Sequence, residues 1–391
     1  MNSSSLSPEL SAVVTWLTEG ARPANQPQDV VQRLCSQLVS AGLAIDRCAV
    51  FVTTLHPNIM GRRFIWNPGQ EVDVGEAPHR VLDTDLYRRS TAAEVIRTGK
   101  TIRLRMSEAG DQDDYNIADE LRSEGFTDYV MHPLDFLNGE NHAVSWATKS
   151  AGGFSDEDMA ALNAIRGPLS RIAEIYALKR MSINLLDTYL GHRTGQRILE
   201  GKIRRGDIER INAAIMVADL RGFTSFSDQK SGAEVIDLLN AYYDSLVPPI
   251  EEGGGEVLKF MGDGLLAIFP IEQEHSSICC AALKAAKEGQ KNLCELESHA
   301  LRCGIALHLG EVLYGNIGGA NRLDFTTIGP AVNLTARLEP FTRDLERPIL
   351  TSAAFAEHLA ENLTSLGRFD VRGFNEKVEI FAPSIADETA A

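Results

Sequence analysis

This 391-residue sequence has no apolar run approaching the ~18 residues that a membrane-crossing helix needs. Its opening, MNSSSLSPELSAVV, has neither the basic start nor the apolar core of a secretory signal. The six cysteines, Cys35, Cys48, Cys279, Cys280, Cys294 and Cys303, form no CxxC pair and no zinc-like spacing, so reduced thiols are expected. Basic residues are outnumbered: a formal net charge of −16 argues against nonspecific nucleic-acid binding and against anchoring to anionic membrane. These absences lead to the expectation of a soluble cytoplasmic protein with no nucleic-acid and no membrane partner. An anionic ligand stays open to it, through local cations or a bound metal.

At about 150 residues per domain the length suits two or three domains, and an apolar share of 44% lets each bury a core. Residues 1–155 read as an α+β domain with antiparallel strands. DVVQRLCSQLVSAGL (29–43) has helical spacing at Val30, Leu34, Leu38 and Leu43, while RCAVFVTTL (47–55) and RRFIWNPG (62–69) read as strands. YVMHPLDF and HAVSWATK flank LNGEN, where Asn138-Gly139 signals a hairpin. Residues 156–207 read as a helical linker and coupling element. Ser155 with Asp158 resembles a capping box, and Met159, Leu162, Ile165, Leu169, Ile172 and Ile175 follow at steps of three or four. Pro168 is expected to kink or restart this helix. The stripe fits either a helix packed on its own domain or a parallel dimer helix carrying a signal.

Residues 208–391 form the last region. INAAIMVADL reads as a strand ending in an acid. GAEVIDLLNAYYDSLVPPIEEGG reads as a helix that the Pro-Pro pair and the glycines stop, and a hairpin covers 257–269. A helix over SSICCAALKAAKEGQKNLCEL, strands over LRCGIALHLGEVLYGNIG and RLDFTTIG, and a helix over PAVNLTARLEPF with Pro330 in its first turn come next. Strands near 349–351, 366–371 and 377–382 close the chain. The alternation predicts a mixed sheet with helices on one side.

Asp219 ends the first of these strands, and Asp263 sits between two glycines at the hairpin tip in KFMGDGLLAIFP. If the strands are neighbours, both carboxylates meet at one end of the sheet. Such a pair binds a hard cation or divides acid and base work, and the surrounding residues favour the cation. Phe223 and Thr224 follow Gly222, where backbone N–H groups can open toward phosphate. Strand alternation puts Lys259 on one face with Val257 and Met261, either exposed or aimed into a cleft. Asn333 and Arg337 are i and i+4 on a helix, and their shared face suits an oxyanion or a ribose phosphate. Singly, these are a turn acid, an exposed lysine and a solvated helix face; together they favour a phosphate-bearing ligand.

The segments ADLRGFTSFS, LKFMGDGLLAIF, GIALHLGEVLYGNIG and FTTIGPAVNLTARLE occur in the order of the motifs of class III nucleotidyl cyclases, and residues 205–383 resemble the bacterial adenylate cyclases of that class. The resemblance implies a ferredoxin-like (palm-type) catalytic domain with two divalent metal ions, Mg2+ or Mn2+, per active site. Asp219, Asp263 and the carbonyl of Leu220 match the metal ligands. Lys259 matches the adenine-reading position, and Thr326 matches the second base-recognition position, in the form found in a threonine-type subgroup. Asn333 and Arg337 match the transition-state pair, and Arg372 a phosphate-binding position. The sequence departs from many relatives at GPAVN, where a polar pair is common. The implied reaction turns ATP into 3′,5′-cyclic AMP and pyrophosphate in a head-to-tail homodimer with two shared sites, and the subgroup includes bicarbonate-responsive members. Guanylate cyclase activity, or a degenerate nucleotide-binding regulator without turnover, are the alternatives.

Residues 1–155, ending in GGFSDEDMAALNAI, are similar to a GAF-type sensory domain, which implies an unknown small ligand or dimerisation. Cys35, Cys48, His56 and His79 are its candidate cofactor ligands. DTYLGHRTGQRILEGKIRRGD (187–207) resembles the short coupling element that precedes many bacterial cyclase domains.

Overall fold

The computed structural model describes residues 6–107, 115–272, 274–296, 301–360 and 363–384. The last residues of the expected third region, 385–391, therefore lie outside the described residues. The chain divides into two compact units, Met1–Leu185 and Leu186–Ala391.

In the first unit, α1 (Pro8–Thr18) and α2 (Pro27–Ser40) precede β1 (Arg47–Thr53), β2 (Ile59–Trp66) and β3 (Asp73–Pro78). Next come α3 (Asp85–Arg88), α4 (Thr91–Thr98), β4 (Ile102–Arg105), α5 (Ile117–Ser123), the hairpin β5 (Asp128–Asp135) and β6 (Asn141–Thr148), and the long α6 (Asp156–Leu190). The strands form one sheet in the order β3-β2-β1-β6-β5-β4, each neighbour antiparallel. Strand alternation sorts the two cores. Val130 and Leu134 of β5 pack with Leu34 and Leu38 of α2 and Leu162 and Leu169 of α6. Tyr129 and Met131 of the same strand turn the other way, onto Val95 of α4 and Leu121 of α5. Gly139 takes φ +84° in the β5–β6 connection, which is why Asn-Gly marks it. The carboxylate of Asp128, fully buried, accepts from Arg103 at 2.6 Å and from the Phe154 N–H at 3.0 Å, and so pins the loop that feeds α6.

The capping box is present: Asp158 N–H donates to Ser155 Oγ at 3.1 Å and Ser155 N–H donates to Asp158 Oδ2 at 2.9 Å. Pro168 does not restart the helix; α6 runs 35 residues with that proline inside it. Its first half packs on its own domain through Leu162, Ile165, Leu169 and Ile172. Beyond that, Ile175, Leu178, Leu185 and Tyr189 are exposed. The four suggested cofactor ligands do not converge. Cys35 and Cys48 lie together in the core, where burial pushes the Cys35 thiol up. His56 is half-buried and His79 exposed, and each ring bonds loop backbone.

The second unit opens with α7 (His192–Leu199) and continues through β7 (Ile208–Leu220), α8 (Phe223–Gln229), α9 (Gly232–Glu252), β8 (Glu256–Met261), β9 (Gly264–Pro270) and α10 (His275–Cys294). It ends with β10 (Cys303–Gly318), β11 (Leu323–Ile328), α11 (Pro330–Leu338), α12 (Phe341–Asp344), β12 (Ile349–Ser352), α13 (Ala353–Ala356), β13 (Leu363–Phe369) and β14 (Val378–Pro383). The sheet order is β13-β14-β12-β10-β7-β9-β8, with β11 paired to the second half of β10. It is mixed: β12 runs parallel to β10 while β7 is antiparallel to both β9 and β10. The run β7-α9-β8-β9-α10-β10 is a βαββαβ unit of ferredoxin-like kind.

Three expectations change. Helices lie on both faces. Ala214, Met216 and Ala218 of β7 pack under α9 and α10, while Ala213, Ile215 and Val217 face Tyr314, Phe325 and Ala331 of the β10–β11–α11 segment. Pro248 and Pro249 do not stop α9, which continues to Glu252. Pro249 removes the N–H that would bond the Ser245 carbonyl, and Asn292 Nδ2 donates to that carbonyl instead, at 3.1 Å. Finally, a bulge between Val257 and Lys259 breaks the alternation of β8: Val257 lies opposite Ala267, but Lys259 lies opposite Leu266. Val257 and Lys259 therefore do not share a face.

Candidate active site

The β8–β9 turn is held tightly. Gly262 has φ +71°, and its carbonyl accepts from the Tyr243 hydroxyl of α9 at 2.5 Å. Asp263 follows it, and its carbonyl accepts from the Leu220 N–H at 3.2 Å, which seats the turn against the end of β7. Asp219 stands opposite Gly264, and a Cβ on that glycine would come within 3.4 Å of Asp219 Oδ1. The two acids are thus neighbours, as the sequence led one to expect. Burial, and then the charge of Asp263, push the Asp219 carboxyl up to about 6. Among the described residues, neither carboxylate has an ion-pair partner. No group of three or more His, Cys, Asp or Glu side chains able to hold a metal occurs among the described residues either. Two carboxylates and a nearby carbonyl suit a hard divalent cation whose remaining ligands come from a phosphate and water.

Gly222, at φ +78°, ends the β7 connection and starts α8. The Phe223 side chain packs on the core under α9 and α10, so only its backbone N–H, with that of Thr224, stands at the helix start. A third acid that the sequence reading missed lies near this corner. Glu339, at the end of α11, is pushed up to about 7 by burial and then by Asp219, and accepts from Thr342 Oγ1 at 3.3 Å.

Lys259 and Thr326 belong to a second cluster. The bulge turns Lys259 toward β11, where its Nζ donates to the carboxylate of Asp324. Asp324 and Thr326 are two apart on β11 and share a strand face, while Phe325 between them packs edge-on against Tyr314 at 4.8 Å. The side chains of Lys259 and Asp324 are 38% and 50% exposed, so the pair is open to a ligand. Met261, two along β8 from Lys259, and Ile328, two along β11 from Thr326, are large, apolar and exposed. Asp324 was not legible as a site residue, since its partner lies 65 positions away.

The third cluster sits on α11 and the loop before β14. Asn333 and Arg337 are exposed on one helix face. Arg337 Nη1 donates to the Arg372 carbonyl, and its guanidinium lies 5.7 Å from the centre of the Phe374 ring. A Cβ on Gly373 would meet that guanidinium at 2.5 Å, so the glycine lets the loop approach. The Arg372 side chain is exposed beside it. The structure thus brings Arg372 to Arg337, Asp324, two residues from Thr326, to Lys259, and Asp263 to Asp219; among the described residues no hydrogen bond or ion pair is seen between these clusters.

Residues 208–382 match the family model of the adenylate and guanylate cyclase catalytic domain. The terminal-differentiation-specific adenylate cyclase of Dictyostelium discoideum is 30% identical over 175 residues, which are 43% of this chain and 8% of that protein. An adenylate cyclase of Anabaena cylindrica is 29% identical over 172 residues, 42% of this chain and 34% of that protein. A solved guanylyl cyclase structure is 30% identical, with a TM-score of 0.40, and covers 44% of this chain and 92% of that one. The chain spans well under half the length of the two curated relatives. Proteins named for either base are thus among its relatives.

Proposed function

We propose that this chain, whose residues 208–382 are an adenylate and guanylate cyclase catalytic domain, converts ATP to 3′,5′-cyclic AMP and pyrophosphate. The observation that carries the reading is the corner where Asp219 and Asp263 stand side by side, with no ion-pair partner among the described residues. Like charges held together at a sheet end cost stability, and a divalent ion relieves that cost. Asp219, Asp263 and the Leu220 carbonyl hold Mg2+ or Mn2+. When bound, such ions favour deprotonation of the ribose 3′-hydroxyl and neutralise the triphosphate. Arg337, fixed by the 372–374 loop, and Arg372 offset charge on the phosphoryl oxygens, while Asn333 orients the ribose. The N–H groups of Phe223 and Thr224 face the phosphates.

ATP is favoured over GTP by the second cluster. Asp324 keeps the Lys259 ammonium beside Thr326, where it donates to a ring nitrogen of adenine, and the threonine hydroxyl accepts from the amino group. The exposed apolar residues around this pair support a second copy of the chain as its cover. In that head-to-tail homodimer one subunit supplies the acids and its partner the base-reading residues. The heptad-spaced Ile175, Leu178, Leu185 and Tyr189 of α6 extend the same pairing. The first unit, read as a GAF-like sensor, receives its ligand in a cavity of about 410 Å³ lined by Val31, Val50, Phe64, Ile172, Arg62 and Lys179. Its apolar floor and basic rim suit a small apolar acid.

Purified protein with Mn2+ should make cyclic AMP from ATP in preference to cyclic GMP from GTP. Asp219→Ala and Asp263→Ala should lose the product, and Asp324→Ala should lower the ATP-to-GTP ratio of kcat/KM by about ten-fold. Full turnover in both alanine variants would overturn the metal assignment.

A further inference from the structure

Glu256 is a carboxylate only 4% exposed, at the first position of β8. Its Oε1 accepts from the backbone N–H of Thr194 in α7 at 2.8 Å, and its Oε2 accepts from the Tyr314 hydroxyl of β10 at 2.7 Å. The Thr194 hydroxyl lies 3.1 Å from that same Tyr314 oxygen and donates to it, closing the triangle. Burial and then Glu256 hold the Tyr314 hydroxyl in its protonated, donating form. Arg197 of α7 lies over the Tyr314 ring at 4.9 Å, but its guanidinium pairs with Glu209 at 2.6 Å and leaves Glu256 to neutral donors. A buried anion held this way is costly to keep, so its placement calls for a role.

The position supplies one. Gly191 is the single residue between α6 and α7, and at φ +85° it passes so close that a Cβ would come within 2.9 Å of Glu256 Oε1. The carboxylate therefore grips the chain where it arrives from α6. On the other side it is linked through intermediate residues to Lys259 and to Thr326. Lys259 is three residues along the same strand, and Tyr314 packs edge-on against Phe325, the neighbour of Thr326.

We infer that Glu256 is a positioning residue for base recognition, clamping the 191–194 turn to β8 and β10 so that a displacement of α6 reaches Lys259 and Thr326. This rests on reading those two residues as the base-recognition pair. The clamp acts through hydrogen bonds rather than charge. A glutamine keeps all three contacts with one polarity reversed: its oxygen accepts from the Thr194 N–H, its amide donates to the Tyr314 oxygen, and the Tyr314 hydroxyl turns to donate to Thr194 Oγ1.

The test uses the full chain. Glu256→Ala should raise the KM for ATP about five-fold or more with a smaller change in kcat, and lower the ATP-to-GTP ratio. Amide exchange at Thr194 should rise in the same variant, and Glu256→Gln should restore all three toward wild type. Tyr314→Phe, which cuts only one arm, keeps the test open if the alanine variant fails to fold, and should show the KM shift in weaker form. A folded Glu256→Ala with wild-type KM, base ratio and Thr194 protection would overturn the inference. Asp324→Ala, which releases Lys259 from its partner, separates the two claims: if it shifts the base ratio while Glu256→Ala does not, only the clamp fails, and if Asp324→Ala also leaves the ratio unchanged, the base-recognition reading fails.

Discussion

Asp219 holds its proton up to about pH 6 because it is buried and stands beside Asp263. The folded state therefore binds that proton more tightly than the unfolded chain does. Without metal, stability is highest below the ordinary aspartate range and falls as pH rises toward about 6. A divalent ion must displace the proton, so its affinity weakens below about pH 6. Mn2+ should then raise the melting temperature clearly at pH 8 and little at pH 5, as read by calorimetry; equal gains at both would contradict this. Asp263→Asn should raise the melting temperature of the metal-free protein at pH 8 by roughly 2–4 °C while abolishing product. At this scale the sequence singled out the residues that sit in spaced motifs, Asp219, Asp263, Lys259, Asn333 and Arg337, and the structure brings the first two together. It was silent on Asp324, Glu256 and Glu339, ordinary acids whose roles come from partners made near only by folding. Phe223 is instructive in another way, since its side chain belongs to the core and only its backbone faces the site.

Elements were legible through period and punctuation, and misread where a tertiary contact overrides a local rule. The two prolines of α9 looked like a stop, yet the helix runs on because Asn292 reaches the orphaned Ser245 carbonyl at 3.1 Å. Asn292→Ala should leave that buried acceptor unpaired and destabilise the second unit by about 1–2 kcal/mol, seen as a lower urea midpoint. An unchanged midpoint would mean that water serves the carbonyl equally well. The β8 bulge is a comparable case. Alternation alone placed Lys259 with Val257, but one extra residue turns it toward Asp324 and makes the cluster with Thr326. No side-chain pattern announces such a register shift, because it is fixed by how β8 fits β9.

For the whole molecule, the βαββαβ core and its mixed sheet follow from the strand and helix order, whereas the cover of its second face by β11 and α11 does not. That cover is what sets the Lys259–Asp324 cluster and the α11 cluster on the face to which Asp219 also belongs. The hairpin β8–β9 is the hinge of the functional reading, since it carries Asp263 for one site and Lys259 for the other. The direct measurement is cyclic AMP formation after mixing two inactive full chains, Asp263→Ala and Lys259→Ala, in equal amounts. Random exchange leaves half the dimers mixed, each with one intact site of two, so about a quarter of the wild-type rate should return. No recovery above the separate chains, with subunit exchange shown independently, would contradict a catalytic site shared between two copies.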